Sequence, residues 1–381
     1  MDKKMPRVMI GLSGGVDSAV AAYLLKEQGY DVIGGFMRNW DAMASGDVEG
    51  NPTLSDPQCP QEVDYEDAQK VADKLGIPLL RVDFIKEYWD DVFTYFLDEY
   101  KKGRTPNPDI FCNKYIKFDR FLEWSKAQGC DLIATGHYAK TVVENGITRL
   151  LKPSDKNKDQ TYFLSQLNQD QIKTTLFPLS DIDKSRVRQI AKKLGLSVAS
   201  KKDSTGVCFI GERHFKHFLH NYIPMKKGSI VDINTKRQIG IHDGVFYYTI
   251  GQRRGLGIGG IADFPDAKGW YVCKKDVAKN ILFVASDPDD EHLLSDSALI
   301  NQLNWNSIEP KEGTKLNAKF RYRQKDLPVI IAKKQNGDVL LTFPKPYKAL
   351  TPGQACVFYD GDYCLGGGII DKVFFKGEQI N

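Results

Sequence analysis

The stretch Gly11-Leu12-Ser13-Gly14-Gly15-Val16-Asp17-Ser18 constrains this chain more than any other. It follows the apolar run Val8-Met9-Ile10, which has the pattern of a buried strand, and leads into Ala19 to Leu25, a helix pattern closed near Gly29. A Gly/Ser turn between a strand and a helix is an anion cradle. N–H groups at the helix start point at the ligand, the helix dipole favours negative charge, and glycine lets a phosphate approach the main chain. No Lys-Ser or Lys-Thr follows the glycines, and their spacing does not fit the dinucleotide fingerprint, so neither common nucleotide loop is present. A strand over Asp31–Met37, a helix over Val63–Leu75 stopped by Gly76 and a strand over Leu79–Asp83 continue the alternation. The fold class expected is α/β, a doubly wound parallel sheet, with ligands beyond the carboxyl ends of its strands. Those ends are Ile10, Phe36-Met37 and Ile133 to His137. Met37 is placed to hold a base through its backbone or to sit in the core, and Gly136 permits a close approach of base or ribose.

At 381 residues the chain has room for two or three domains, and 41% hydrophobic with 27% charged residues is an ordinary soluble composition. No apolar run is long enough for a membrane span or a secretory signal, so the expectation is a cytoplasmic protein without membrane contact. The seven cysteines, at 59, 112, 130, 208, 273, 356 and 364, form no CxxC pair, which argues against a disulfide framework and a zinc knuckle. The net charge of +4 hides an asymmetry. Residues 41–109 carry 16 acidic and 7 basic side chains, a balance of −9, whereas residues 140–237 carry 19 basic and 9 acidic, a balance of +10. A basic belt of that size suits a polyanion, and a solvated Lys-rich surface has the same composition. Residues 40–60 are rich in Gly, Pro, Ser and Asp and read as a mobile loop or lid, while the aromatic spacing from Glu87 to Tyr100 reads as a core helix.

Two single cysteines lie in unusual settings. Thr105-Pro106-Asn107-Pro108-Asp109-Ile110-Phe111-Cys112-Asn113-Lys114 is stiffened by two prolines and places Cys112 near a helix start, where the dipole and Lys114 would lower a thiol pKa. Asp109 is placed to reach the same site as general acid or base; a buried cysteine and a capping aspartate are the alternative. Cys208, in Ser204-Thr205-Gly206-Val207-Cys208-Phe209-Ile210-Gly211, has Lys201, Lys202 and Arg213 nearby. Two such thiols point to redox or sulfur-carrying chemistry.

The loop Gly11–Ser18 resembles the SGGxDS loop of the ATP pyrophosphatase (PP-loop) superfamily, adenine nucleotide alpha hydrolase-like enzymes that grip the pyrophosphate of ATP during adenylation. With NPDIFCNK, ATGHYA, KDQTYFLS, DSTGVCFIGER and YYTIGQRRGLGIGG in order along most of the chain, the sequence is similar to the tRNA-specific 2-thiouridylase family. That resemblance implies ATP-dependent 2-thiolation of the wobble uridine, position 34, of tRNA, a tRNA-uridine 2-sulfurtransferase activity. ATP, accompanied by Mg²⁺ and without a permanently bound metal, activates the C2 oxygen as an adenylate, and a cysteine persulfide supplies sulfur. By motif match Cys208 carries the persulfide and Cys112 attacks it, either releasing sulfide or leaving a Cys112–Cys208 disulfide. Asp109 acts as acid or base; Asn107, Pro108 and Asp109 contact the flipped target base. Gly11, Leu12, Ser13, Gly14, Gly15, Val16, Asp17, Ser18, Met37 and Gly136 bind ATP. His137, Lys158, Asp159, Gln160, Arg321, Tyr322 and Gln354 contact tRNA in its anticodon region. The partner implied is a persulfide donor such as a cysteine desulfurase or a sulfur-relay protein.

The PP-loop domain is expected over 1–210, a small β-rich central domain over 211–290 and a C-terminal β-barrel that contacts tRNA over 291–381. Strands are expected at Gly228–Asp232, Val245–Ile250, Trp270–Cys273 and Ile281–Val284, then at Ala318–Arg323, Val329–Ala332, Val339–Phe343 and Ala355–Tyr359. Gln252-Arg253-Arg254 suits phosphate or a structural turn. Two other readings stay open: a different PP-loop adenylating enzyme, which would not need both cysteines, and a non-catalytic tRNA-binding protein that holds ATP as a ligand only.

Overall fold

The structure, a computed structural model, describes residues 5–49, 51, 54, 60–203, 215–259, 261 and 263–380. Cys59, Cys208 with its motif Ser204–Gly211, and Arg213 lie outside the described residues.

The chain opens with β1 (Arg7–Gly11), whose Val8, Met9 and Ile10 are fully buried, as a strand covered on both faces must be. Helix α1 (Val16–Glu27) follows and buries an Ala/Val stripe, Ala19 to Ala22, whose small side chains let helix and sheet pack closely. β2 (Asp31–Arg38), helix α2 (Pro60–Leu75) and β3 (Leu79–Asp83) complete one half of the sheet. β4 (Leu132–Ala134) lies on the other side of β1, and after a hairpin of β5 (Lys140–Glu144) and β6 (Ile147–Leu151) the sheet ends at β7 (Thr175–Leu176). The order is β3-β2-β1-β4-β7, and every pair is parallel.

Helical residues 85–101 bury Tyr88, Val92, Phe93, Phe96 and Leu97, the core role expected of that spacing. Trp40 packs on this helix, with its ring 4.9 Å from Phe93 and 6.1 Å from Trp89. Its indole N–H donates to Asp47, which is fully buried. Residues 40–49, expected in a mobile loop, are therefore anchored by an aromatic cluster that their Gly/Ser/Asp composition conceals.

The second sheet contains β8 (Gly228–Asp232), β9 (Gln238–His242), β10 (Tyr271–Asp276) and β11 (Ile281–Ala285), in the order β10-β11-β8-β9. Val245–Ile250, expected as a strand, is instead a short 3-10 turn, Val245–Tyr247, with an irregular continuation. Buried Tyr247, whose hydroxyl donates to the Ile223 carbonyl, pulls the chain off the sheet.

The third sheet is a closed antiparallel barrel of six strands: β12 (Leu294–Trp305), β13 (Lys315–Lys319), β14 (Leu327–Lys333), β15 (Val339–Lys348), β16 (Ala355–Asp360) and β17 (Tyr363–Phe375). Pairing of β12 with β17 closes it, which removes its sheet edges. The strand expected over Ala318–Arg323 ends at Lys319. The hairpin β5–β6, which the chain forms between β4 and β7, adds to β17 through Cys364 opposite Leu150. Among the described residues no helix is long and apolar enough to cross a membrane.

Candidate nucleotide and nucleic-acid site

Strand order reverses between β1 and β4, so the crevice for a ligand lies beyond their carboxyl ends. The loop Leu12–Gly15 occupies that end of β1. Ser13 N–H donates to Ser18 Oγ at 3.2 Å and Ser18 Oγ donates to the Gly15 carbonyl at 3.1 Å, which folds the loop over the start of α1. Gly14 has φ +69°, a left-handed backbone, and a Cβ there would lie 2.3 Å from the Asp64 carbonyl oxygen at the start of α2. Gly136 follows β4, and a Cβ on it would lie 2.8 Å from Ser18 N and 3.0 Å from Asp17 C. Glycine at 136 is what lets the end of β4 touch the N-terminus of α1. The Met37 methyl is 3.4 Å from where a Gly11 Cβ would stand, so Met37 lines the same end of the sheet. The ten residues expected to bind ATP thus lie at one end of the sheet.

Asp17 in this loop accepts from the Tyr138 hydroxyl at 2.8 Å and from Lys184 Nζ at 2.7 and 2.8 Å. Lys184 also meets Asp203 Oδ1 at 2.8 Å; Arg188 meets the same oxygen at 2.7 Å, and Lys158 donates to Asp203 Oδ2 at 2.8 Å. Burial pushes the Asp203 carboxyl up, but the bonds from Lys158 and Lys184 outweigh it and hold it at about 2. No motif in the sequence marks Lys184, Arg188, Asp203 or Tyr138 for this cluster. The only local signal was the helix Lys184–Lys193, which puts Lys184 at its first position after the Asp183 cap. Lys201 pairs with Asp64 and Asp67 of α2, both at 2.7 Å; its expected place beside the Cys208 thiol falls on a residue outside those described.

The second cluster is built on the loop before Cys112. Asn107 caps the helix Pro108–Phe111 by accepting from Asp109 N–H at 3.1 Å, with Pro108 at the position where its missing N–H costs nothing. Cys112 begins a π-helical stretch, Cys112–Arg120, and is 1% exposed. Lys114, expected to activate that thiol, sends its ammonium to Gln166 Oε1 at 3.2 Å and over the Tyr115 ring. Lys117 is the cation that acts on Asp109 and on His137. Burial raises the Asp109 carboxyl pKa against the opposing pull of Lys117. Burial, assisted by Lys117, pushes His137 down to about 3, so its ring is neutral, with Nδ1 2.9 Å from Thr135 Oγ1. His137 is one residue beyond Gly136, and its ring lies 5.7 Å from Phe118 in the helical stretch that Cys112 begins.

Residues 6–212, 216–286 and 295–370 match in turn the families described as tRNA methyl transferase HUP domain, tRNA methyl transferase PRC-barrel domain and aminomethyltransferase beta-barrel domain. The chain is 55% identical to the tRNA-specific 2-thiouridylase MnmA of Mycoplasma mycoides subsp. mycoides, over 96% of this chain and 99% of that one. Identity to the tRNA-specific 2-thiouridylase MnmA of Lacticaseibacillus paracasei is 52%, over 100% and 98%. The chain belongs to the tRNA-specific 2-thiouridylase family. Among solved structures, the U34-tRNA thiolase NcsA from Methanococcus maripaludis is similar with a TM-score of 0.34 and 22% identity, over 57% of this chain and 65% of that one.

In this thiouridylase-family chain the residues expected to contact tRNA, His137 apart, fall into two groups. Lys158 and Tyr322 line a cavity of about 540 Å³ between residues 156–159 and 319–326, together with Lys156, Lys319, Arg323 and Lys325. Tyr322 is held there by a ring contact of 4.4 Å with Phe163. The other four make internal bonds. Asp159 is 5% exposed and bonds Thr161 Oγ1 at 2.6 Å and Lys319 Nζ at 2.8 Å. Gln160 Oε1 accepts from Tyr138 N–H at 2.9 Å. Arg321 donates to the Ile250 and Ala349 carbonyls, and Gln354 donates to the Thr105 carbonyl at 2.7 Å. The Gln354 bond ties the barrel to the loop that carries Asn107–Asp109.

Proposed function

We infer that the chain catalyses ATP-dependent 2-thiolation of uridine 34 in tRNA. The observation that carries this reading is the placement of the Gly11–Ser18 loop at the sheet's switch point, with Gly136 against the start of α1 and His137 beside Phe118 of the helical stretch that Cys112 begins. ATP phosphates would sit on the N-terminus of α1, with Lys184 supplying the cation that the loop itself lacks. Attack of the uridine C2 oxygen on the alpha phosphate expels pyrophosphate and leaves a good leaving group at C2. The terminal sulfur of a persulfide on Cys208 attacks C2, AMP departs, and the Cys112 thiolate attacks the inner sulfur, giving 2-thiouridine and a Cys112–Cys208 disulfide. Alternatively Cys112 attacks first and releases sulfide, which then displaces AMP; in both sequences a reductant of the thiol class restores the pair. Asp109, beside Asn107 and Pro108, would move the base N3 proton. Lys158, Tyr322 and the basic cavity around them would hold tRNA phosphate and an unstacked base, with Asp159, Gln160, Arg321 and Gln354 keeping that face in register.

Mg²⁺ would arrive on the ATP phosphates, with Asp17 as a carboxylate at hand. Among the described residues no three His, Cys, Asp or Glu side chains are gathered as a metal site of their own. The sulfur would come from a persulfide-bearing protein in the cytoplasm. The test is mass spectrometry of unmodified tRNA after incubation with the protein, ATP and a persulfide donor. A gain of one sulfur at uridine 34 is expected, lost in Cys112→Ser and in Cys208→Ser, while tRNA-dependent exchange of pyrophosphate into ATP survives in both. Thiolation by either single variant would refute the cysteine assignments. Exchange without thiolation would favour another adenylating enzyme, and no ATP consumption would favour a tRNA-binding protein.

A further inference from the structure

Asp203 stands where the two ligand regions meet. Its Oδ1 takes Lys184 at 2.8 Å and Arg188 at 2.7 Å, and its Oδ2 takes Lys158 at 2.8 Å. Lys184 is shared with Asp17 in the phosphate loop, whereas Lys158 lines the basic cavity toward the barrel. Arg188 is committed elsewhere as well, donating to the Ala199 carbonyl at 2.9 Å and the Lys201 carbonyl at 2.6 Å, so it cannot turn to either ligand. Lys184 is the most enclosed of the three cations, with a side chain 14% exposed against 30% for Arg188 and 37% for Lys158.

We propose that Asp203 is a positioning residue that makes nucleotide and tRNA antagonise one another, because its one carboxylate holds the cation each ligand needs. This rests on the functional reading above. A nucleotide phosphate that recruits Lys184 takes one partner from Asp203, and a tRNA phosphate that recruits Lys158 takes another. Losing the first partner costs little, since two cations remain on a two-thirds buried carboxylate. Losing the second leaves Arg188 alone and costs more, so each ligand weakens the other through Asp203. The strong acidity of Asp203 keeps this charge in place across the physiological range. Such a device favours release of pyrophosphate and of tRNA over a stalled ternary complex.

The experiment measures the dissociation constant of α,β-methylene-ATP, which cannot be adenylated from, with and without saturating unmodified tRNA. Wild type, Asp203→Asn and Asp203→Glu are compared. Direct contact between the two ligands contributes equally to all three, so the difference between variants isolates Asp203. The ratio of the two constants is expected to be about threefold more antagonistic in wild type than in Asp203→Asn, the size of a partly exposed ion-pair effect. Asp203→Glu, which keeps the charge, restores part of it, and the tRNA affinity with and without nucleotide changes by the same factor. A carboxylate that only held the fold together would weaken both ligands and leave the ratio unchanged, which overturns the proposal. Binding of both ligands with an unaltered ratio refutes this inference alone; failure of wild type to bind either ligand refutes the functional reading with it.

Discussion

Gly136→Ala is the sharpest test of how the fold makes the nucleotide crevice. The new Cβ would lie 2.8 Å from Ser18 N, 3.0 Å from Asp17 C and 3.1 Å from Ser18 Cα. All three are backbone atoms in a buried strand-to-helix contact, so no side chain can swing aside. Reaching an ordinary contact of 3.4 Å requires the end of β4 and the start of α1 to separate by about 0.6 Å. Overpacking of that kind costs roughly 1–3 kcal/mol. The displaced groups include the Ser18 N–H at the anion cradle, so ATP affinity is expected to fall about tenfold, which corresponds to about 1.4 kcal/mol. Urea unfolding followed by tryptophan fluorescence reads the first quantity and titration with α,β-methylene-ATP the second. Gly259→Ala is the internal control, because a Cβ there meets nothing within 4 Å. It is expected to unfold within about 0.5 kcal/mol of wild type. If Gly136→Ala binds the nucleotide as wild type does and unfolds at the same urea concentration, the packing of β4 on α1 does not shape the site.

Asp109→Asn is expected to lower thiolation about 10²–10⁴-fold, the span of a lost general acid or base, while raising thermal stability at neutral pH. A carboxyl whose folded pKa is raised stabilises the fold below its unfolded pKa and loses that contribution as pH rises through the folded value, so the gain from Asn should be larger at pH 7 than at pH 4 in melting curves. Lys319→Met removes the partner of Asp159 in an ion pair whose side chains are 10% and 4% exposed, and is expected to cost about 3–5 kcal/mol in urea unfolding. Lys319→Met combined with Asp159→Leu should recover much of that loss, and additive losses would show that the two residues act independently.

What could be read from sequence was what depends on neighbours in the chain. Val8 to Ile10, the Gly/Ser turn and the Ala-rich helix each carry a local period, and the parallel sheet followed from them. β17 escaped because Gly366-Gly367-Gly368 in its middle reads as a turn; pairing with β16 on one side and with β12, some 65 residues away, on the other makes it a strand. The ion-pair chain from Asp17 through Lys184 to Asp203 joins residues 167 positions apart, so no window of sequence contains it. Asp159 looked like an exposed polar contact because its partner Lys319 is 160 residues on. The basic belt over 140–237 is also less free than its count suggests. Lys140, Lys158, Lys184, Arg188 and Lys201 all have carboxylate partners, two of them on α2.

Those pairings change what the barrel does for the site. Thr105 N–H donates to the Pro352 carbonyl at 2.9 Å and its carbonyl accepts from the Gln354 side chain, so the segment before Asn107 is tied to a barrel turn. Arg104 extends the same contact, with NH1 on Asp371 at 2.8 Å and NH2 on the Ile370 carbonyl at 3.0 Å, while its Nε meets Glu99 at 2.6 Å. A loop with two prolines has little freedom of its own, and these bonds fix where that rigid piece points. Asn107 and Asp109 are then aimed from the barrel side, whereas His137 and Gly136 are aimed from the sheet side. A base between them would be positioned by two independent bodies fastened at Arg104, Gln354 and the β6–β17 ladder. On the proposed function the C-terminal barrel would then belong to the active-site framework as well as to the tRNA surface.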